Sequence, residues 1–505
     1  MKRSMENTRS TATLPISTVL FCAAVFLIQF SILSRLEKLT TVISGAGANV
    51  TSLLAVSMDA PASVQRKLEV TFTKKSHSDN NMNYTFNGVP LEEMSGAMVS
   101  RAHCIGETHT DKSWMHKSCR IQNLCYNTAD KSFVVFRSPS EQALARQLQS
   151  KPFIHDASML NQNVSIGGLN QKWFHDIDRL KWAPKIIDSE LGIPSKAYSV
   201  KVPLLLYHSL SAVNPGHLIW DDFLPMYTLM KLFQVDLPVL PLRYILHDGK
   251  PPLWASCEAD ADRSQLCSKM TSKFQPLLLG TDYPYQYTSI DELQIQIPEK
   301  DSALICFETA LVGMGDLTDH GTTKGHGWER DDYLTRHNHG RDFYEFRNFM
   351  ISNLHLPLQP PKTRKVVLSI ASSDDKGRRM DFERQSKALR ELNLELDVDV
   401  HTVTMKDLTL QEQVELVHDA AIYISMCGGG AVNAMLLPKG ASVILYYFKA
   451  GTYENGNRTE KPAPLDWDLM NSLSYLRVHW MPRETMPVDL DAFLALIKHE
   501  LMTYS

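Results

Sequence analysis

Between residues 364 and 448 one pattern recurs, and it leaves few folds open. Short apolar or β-branched runs alternate with amphipathic stretches. "KVVLSIAS" (365–372), "DVDVHTVTM" (397–405), "AIYISM" (421–426) and "SVILYYF" (442–448) read as strands. "DFERQSKALRELNLE" (381–395) and "TLQEQVELVHDA" (409–420) read as helices, with apolar residues at helical spacing between charged ones. Strands that alternate with helices imply a parallel sheet covered on both faces. Ligands of such sheets sit beyond the carboxyl ends of the strands.

Three glycines, Gly428, Gly429 and Gly430, stand at such an end, after "AIYISM" and before a helix expected over "AVNAMLLP". Without a Cβ, a residue turns sharply and lets another group approach its amides. The first amides of a helix favour an anion, so a phosphate is expected there. The alternative is a tight turn with no ligand. Asn433, in the first helical turn, can offer its amide to the ligand or cap its own helix. The spacing is neither GxGxxG nor GxxxxGK[ST]. This excludes the dinucleotide fingerprint and disfavours the nucleoside-triphosphatase loop.

With 505 residues the chain is too long for one core, so two folded domains are expected. A net charge of −4 gives no overall basic field and argues against nucleic acid as a partner. Leu14–Leu33 carries no charge and is long enough to cross a bilayer. Lys2, Arg3 and Arg9 precede it, which favours a cytosolic tail over 1–13 and a retained type II anchor over 14–33. A cleaved signal peptide is the alternative. Residues 34–95 are polar and read as a flexible stem.

Sequons at Asn49, Asn83, Asn163 and Asn457 place the remainder in the secretory lumen, in the Golgi or endoplasmic reticulum. Seven cysteines follow the anchor and suit disulfides in that compartment, with at least one left over. Their pairing is not readable from spacing. A first lobe is expected over 96–355, with strand-like runs at 132–137, 201–208 and 302–313 and a helix over 217–233. "LHLPLQPPKT" (354–363) reads as a linker into a second lobe over 356–505.

The segment "LQEQVELVHDAAIYISMCGGGAVNAMLLPKGASVILYY" resembles the C-terminal signature of glycosyltransferase family 61. Glu412, Gln413, Gly428, Gly430, Asn433, Pro438 and Gly440 match residue by residue. Gly429 stands where Ala is usual, Val432 replaces Thr, and Cys427 replaces the usual His. A Cys is a weaker donor to a phosphate and carries no comparable charge. "NPGHLIWDDFLPMY" (214–227), "RKVVLSIASSDDKGRRMDF" (364–382) and the cysteine block 104–125 also resemble the family.

The resemblance implies an α/β chain of two Rossmann-like lobes (GT-B-like). It implies a nucleotide-sugar donor, a glycan or glycoprotein acceptor, inversion at the anomeric carbon, and no metal or other cofactor. A pentose or an N-acetylhexosamine would be transferred. Donor-binding candidates are Arg378, Arg379, Glu412, Cys427, Gly428, Gly429, Gly430 and Asn433. The arginines can pair with a diphosphate and stabilise its growing charge. His217, Asp221 and Asp222 are the candidate bases for the acceptor hydroxyl; paired acids near a helix start also suit the helix dipole.

His320, His326, His337 and His339 lack compact ligand spacing and read as a polar loop. Asp397–Asp399 and Asp466–Asp468 have the DxD spacing of metal-dependent transferases, a motif too short to be specific. A lumenal sulfotransferase would share the anchor, stem and phosphate loop, but normally places that loop early in its catalytic domain. A non-catalytic glycan-binding protein on the same fold is the third reading.

Overall fold

The computed structural model describes residues 84–504 except for short gaps and the segments 144–162, 189–195, 246–256, 315–339, 372–378 and 459–468. The expected anchor, Asn49, Asn83, Arg378, the histidine-rich stretch and Asp466–Asp468 lie outside the described residues. Among the described residues no helix is long and apolar enough to cross a membrane. The architecture is mixed α/β, with three main sheets.

The first sheet runs β6 (Lys185–Asp188), β5 (Ser132–Arg137), β4 (Leu124–Asn127), β11 (Leu304–Phe307), β7 (Ala197–Val200), β1 (Glu92–Glu93). The second runs β10 (Thr288–Ser289), β9 (Leu240–Arg243), β8 (Leu204–Tyr207), β12 (Ala310–Val312), β3 (Ser118–Gln122), β2 (Arg101–Ile105). Three chain segments donate one strand to each sheet: β3 and β4, β7 and β8, β11 and β12. The run 302–313, expected as one strand, is thus two. Asn123 breaks its segment with a φ of 57°, and Pro203, without an N–H, stands before β8.

Side-chain alternation along β8 then separates two cores. Leu204 and Leu206 pack between the two sheets, while Leu205 and Tyr207 face a larger core of helices. Disulfides Cys104–Cys119 and Cys125–Cys306 each join residues directly opposite on neighbouring antiparallel strands. Cys257–Cys267 ties a loop to α2 (Ala261–Leu279). Cys427 belongs to none of the three.

The third sheet is wholly parallel, in the order β14 (Asp399–Thr404), β13 (Lys365–Ala371), β15 (Ile422–Met426), β16 (Ser442–Tyr447), β17 (Arg477–Pro482). Helices α4 (Glu383–Leu396) and α5 (Leu410–His418) connect its first strands as expected. In chain order the strands run 2-1-3-4-5, so the order reverses between β13 and β15. That switch point opens a crevice at the carboxyl ends of these two strands.

The core of this sheet also takes in α1 (215–233), α2, α3 (Gly340–Asn353) and α6 (Leu490–Tyr504). Helix α1 comprises Pro215–His217, a π-helical Leu218–Phe223 and Leu224–Phe233. It is an element of the N-terminal half that packs into the core of this sheet.

Candidate active site

Helix α1 starts where the sequence supplies a cap. The Asn214 side chain accepts the Gly216 N–H at 2.9 Å, and Pro215 occupies the first turn, where its missing N–H costs nothing. His217 closes that first turn, and the wider π-turns that follow carry Asp221 and Asp222. His217 Nδ1 lies 2.7 Å from Asp221 Oδ2. The imidazole is 26% exposed and the carboxylate 1%. With the Nδ1 proton donated to Asp221, Nε2 is left as a proton acceptor. A half-open histidine oriented by a buried acid is a general-base arrangement. π-Helical turns of this kind are frequent at functional sites.

Asp222 differs from its neighbour. It is 2% exposed and accepts the Ser209 hydroxyl at 2.6 Å. Burial pushes its carboxyl well above the usual range; the Asp221 charge adds to this and the Ser209 bond opposes it. An acid whose carboxyl is raised in this way releases its proton reluctantly, so of the three candidates the half-open His217 has the geometry that suits proton acceptance. The folded state keeps the Asp222 proton over a range where the unfolded chain has lost it. This contribution to stability is complete below the unfolded carboxyl range near pH 4 and is lost as pH rises through the folded value. Asp222→Asn should flatten that decline in urea-unfolding free energy measured across pH.

The three glycines have distinct uses. Gly428 has φ 111° and ψ −167°, a conformation glycine alone adopts readily. The helix after it is 3₁₀, runs Gly429–Leu436, and so starts earlier than expected. A Cβ on Gly429 would lie 1.9 Å from Asn214 Oδ1 and 2.8 Å from its Cγ. One on Gly216 would lie 3.2 Å from the Gly429 Cα. The Cβ direction of Gly429 thus meets Asn214 rather than a phosphate, which corrects the expectation for that residue. Its bareness lets the loop close on the start of α1 and brings His217 to the switch-point crevice.

A buried polar network holds the loop from behind. The Tyr423 hydroxyl donates to the Gly430 carbonyl at 3.2 Å. Asn433 Nδ2 donates to Gln413 Oε1 at 3.2 Å, and Gln413 Nε2 donates to the carbonyls of Met405 (2.8 Å) and Leu408 (3.1 Å). Arg347, fully buried on α3, donates to Leu436 O at 3.4 Å, at the carbonyl end of the 3₁₀ helix, and to Leu358 O at 2.6 Å. Asn433 therefore anchors the loop and does not cap its helix. Asn433→Ala should lower unfolding free energy by about 1–3 kcal/mol by stranding Gln413 Oε1. A donor-binding role alone would leave the chemical-denaturation midpoint unchanged.

Glu412, expected near the donor, closes a capping box at the start of α5, accepting the Thr409 N–H at 2.7 Å. Those bonds hold its carboxyl below the ordinary range. Arg379 is exposed just past the carboxyl end of β13, where Met380 N–H donates to Ile370 O at 2.8 Å. Cys427 follows β15, half-buried, its N–H on the Tyr446 carbonyl at 2.8 Å. Arg379 and the glycines thus follow the two strands that flank the switch point.

Asp397 and Asp399 lie at the amino end of β14, and Asp399 pairs with His401 at 2.7 Å. A strand length, roughly 20 Å at ~3.3 Å per residue, separates that edge from the carboxyl edge. This DxD therefore cannot hold a metal on a donor there. Among the described residues no group of three His, Cys, Asp or Glu is placed to hold a metal ion. Of the sequons, Asn163 is half-buried just before the strand Val164–Lys172, and Asn457 lies in the short strand Asn457–Arg458.

Asn214, Gln413, Tyr423 and Arg347 carry the site without having been singled out as site residues. Asn before Pro signals a helix start for Asn214, and Gln413 lay within the matched signature. Nothing in the sequence marks Tyr423 or Arg347.

Residues 329–444 match the family model Glycosyltransferase 61. Protein O-linked-mannose beta-1,4-N-acetylglucosaminyltransferase 2 of Xenopus laevis is 23% identical over 387 residues, covering 75% of this chain and 57% of that protein. The proteins of the same name from Mus musculus and Homo sapiens are each 24% identical over 351 residues, covering 68% of this chain and 51% of theirs. The chain spans about half the length of these curated relatives.

Proposed function

From the match of residues 329–444 to the Glycosyltransferase 61 family model, we propose that the protein is an inverting glycosyltransferase. The observation that carries the reading is the closure of α1 on the glycine loop, which sets the His217–Asp221 pair beside the switch point of a parallel sheet. In this reading the architecture is two-lobed and GT-B-like. The third sheet takes a nucleotide-sugar and the first two form the acceptor side.

The acceptor oxygen attacks the anomeric carbon from the face opposite the diphosphate. Its proton passes to His217 Nε2, and the bond from carbon to diphosphate oxygen breaks. Asp221 stabilises the imidazolium that forms. Arg379 and the amides around Gly428 and Gly430 face the charge that grows on the leaving diphosphate, and Arg378 is a further candidate by sequence alone. No metal is assigned to this step. The relatives' names point to N-acetylglucosamine as the sugar and an O-linked mannose as the acceptor. Three disulfides and the sequons support a lumenal, secretory-pathway location behind a type II anchor.

The test is incubation of the full-length chain with a panel of nucleotide-sugars and an O-mannosyl peptide. The expected result is transfer of N-acetylglucosamine with inversion, undiminished by EDTA. EDTA loss restored by manganese would assign a metal. Transfer from a sulfonucleotide instead would support the sulfotransferase reading. No turnover, with glycan binding retained, would support the non-catalytic one.

A further inference from the structure

Behind the His217–Asp221 pair lies a cavity of about 10 Å³, lined among others by Tyr207, His208, Asp221, Asp222 and Met226. That is close to the smallest space that holds one water molecule. Asp222 is buried, and while its Oδ2 accepts the Ser209 hydroxyl, its Oδ1 is buried with no hydrogen-bond partner. Most of the lining is aliphatic, from Ile166, Leu205, Leu206, Pro225 and Leu229, but Asp221 and Asp222 line it too, and two carboxyls meet the minimum of two polar partners that a water needs.

We propose that one water occupies this cavity and bridges the Asp222 carboxyl to Asp221, making Asp222 a positioning residue for the His217 base. The inference rests on the reading of His217 as that base. Asp222, protonated through burial, donates from Oδ1 to the water, and the water donates to the Asp221 carboxylate. A carboxylate that receives this bond is less basic and holds the His217 proton less tightly. The groups around Asp222 are Ser209, Tyr207, His208, Asp221 and His217, with Arg243 at the end of β9 opposing its protonation. His208 is itself fixed, its Nδ1 3.0 Å from the Tyr244 carbonyl.

The experiment compares the acid limb of the kcat/KM profile in the full-length chain. Asp222→Leu removes the donor and fills the space. Its limb should move to higher pH, so that kcat/KM measured on the limb falls roughly threefold or more for a shift of about half a unit. Asp222→Asn keeps an N–H donor, and its limb should stay in place. A mere packing role would move neither. An unmoved limb in folded Asp222→Leu, or a moved one in Asp222→Asn, overturns the proposal. Should Asp222→Leu not fold, a high-resolution crystal structure of the unaltered chain decides: density for a water between the carboxyls supports it, and an empty cavity overturns it. His217→Ala separates the two readings. If it stays active, the base assignment fails; if it is inactive while Asp222→Leu leaves the limb unmoved, only the water bridge fails.

Discussion

Gly429→Ala should destabilise the protein by about 2–4 kcal/mol, an effect far larger than one added methyl group usually has. The new Cβ would lie 1.9 Å from Asn214 Oδ1, so either the loop or the start of α1 must move. Overpacking of this kind costs roughly 1–3 kcal/mol. Displacing Asn214 also removes a helix cap worth roughly 1 kcal/mol. Backbone strain is not the cause, because it is Gly428, not Gly429, that has the left-handed φ. The cause is a single neighbour, and that makes the prediction reversible. Asn214→Gly takes away the obstructing side chain, and glycine costs a helix cap only a few tenths of a kcal/mol. The double variant should recover most of the loss. Denaturant melts of the two single variants and the pair measure this. Wild-type stability in Gly429→Ala, or no recovery in the pair, would show that the two elements do not touch.

His217→Ala should lower kcat/KM by about 10²–10⁴-fold while leaving donor affinity within about twofold, since in the proposed mechanism the imidazole acts on the acceptor proton. Asp221→Asn should cost at least about 10²-fold. Its amide oxygen can still receive the Nδ1 proton, but the charge that stabilises the imidazolium is gone. Because the base must be neutral, turnover of the unaltered enzyme should rise with pH through the histidine range and fall below it. The measurement is initial rate against acceptor concentration at saturating donor, with donor binding by calorimetry. A His217→Ala enzyme that keeps more than a tenth of its rate would remove His217 from the mechanism.

The three central strands of the third sheet were legible because they are buried on both faces, and the half-buried edge strand β14 was legible from the alternation in "DVDVHTVTM". "KVVLSIAS" and "SVILYYF" have no polar face to alternate, and their ends match the structure within a residue. The fifth strand, Arg477–Pro482, carries no such signal: it lies at the sheet edge, is only half-buried, and mixes Arg, His and Trp with its apolar residues. The last helix, Leu490–Tyr504, follows that missed strand. The π-helical turns of α1 were also not legible. Local sequence specifies a helix there, but the extra residue per turn is settled by what Leu218, Ile219, Trp220 and Phe223 pack against.

The local chemistry of this chain is written in its sequence. The periods of two and 3.6 residues, the cap at Asn214, the capping box at Thr409 and Glu412, and the bare turn at Gly428 all follow from neighbours a few residues apart. Tertiary structure alone decided which of these meet. Asn214 and Gly429 are far apart along the chain, and no local rule says that one must be small because the other is there. The same closure sorts three acidic or basic candidates into a half-open histidine, the carboxylate that orients it, and a buried acid whose carboxyl is raised above the usual range. Burial and proximity make those distinctions, and both come into being only when α1 docks on the glycine loop.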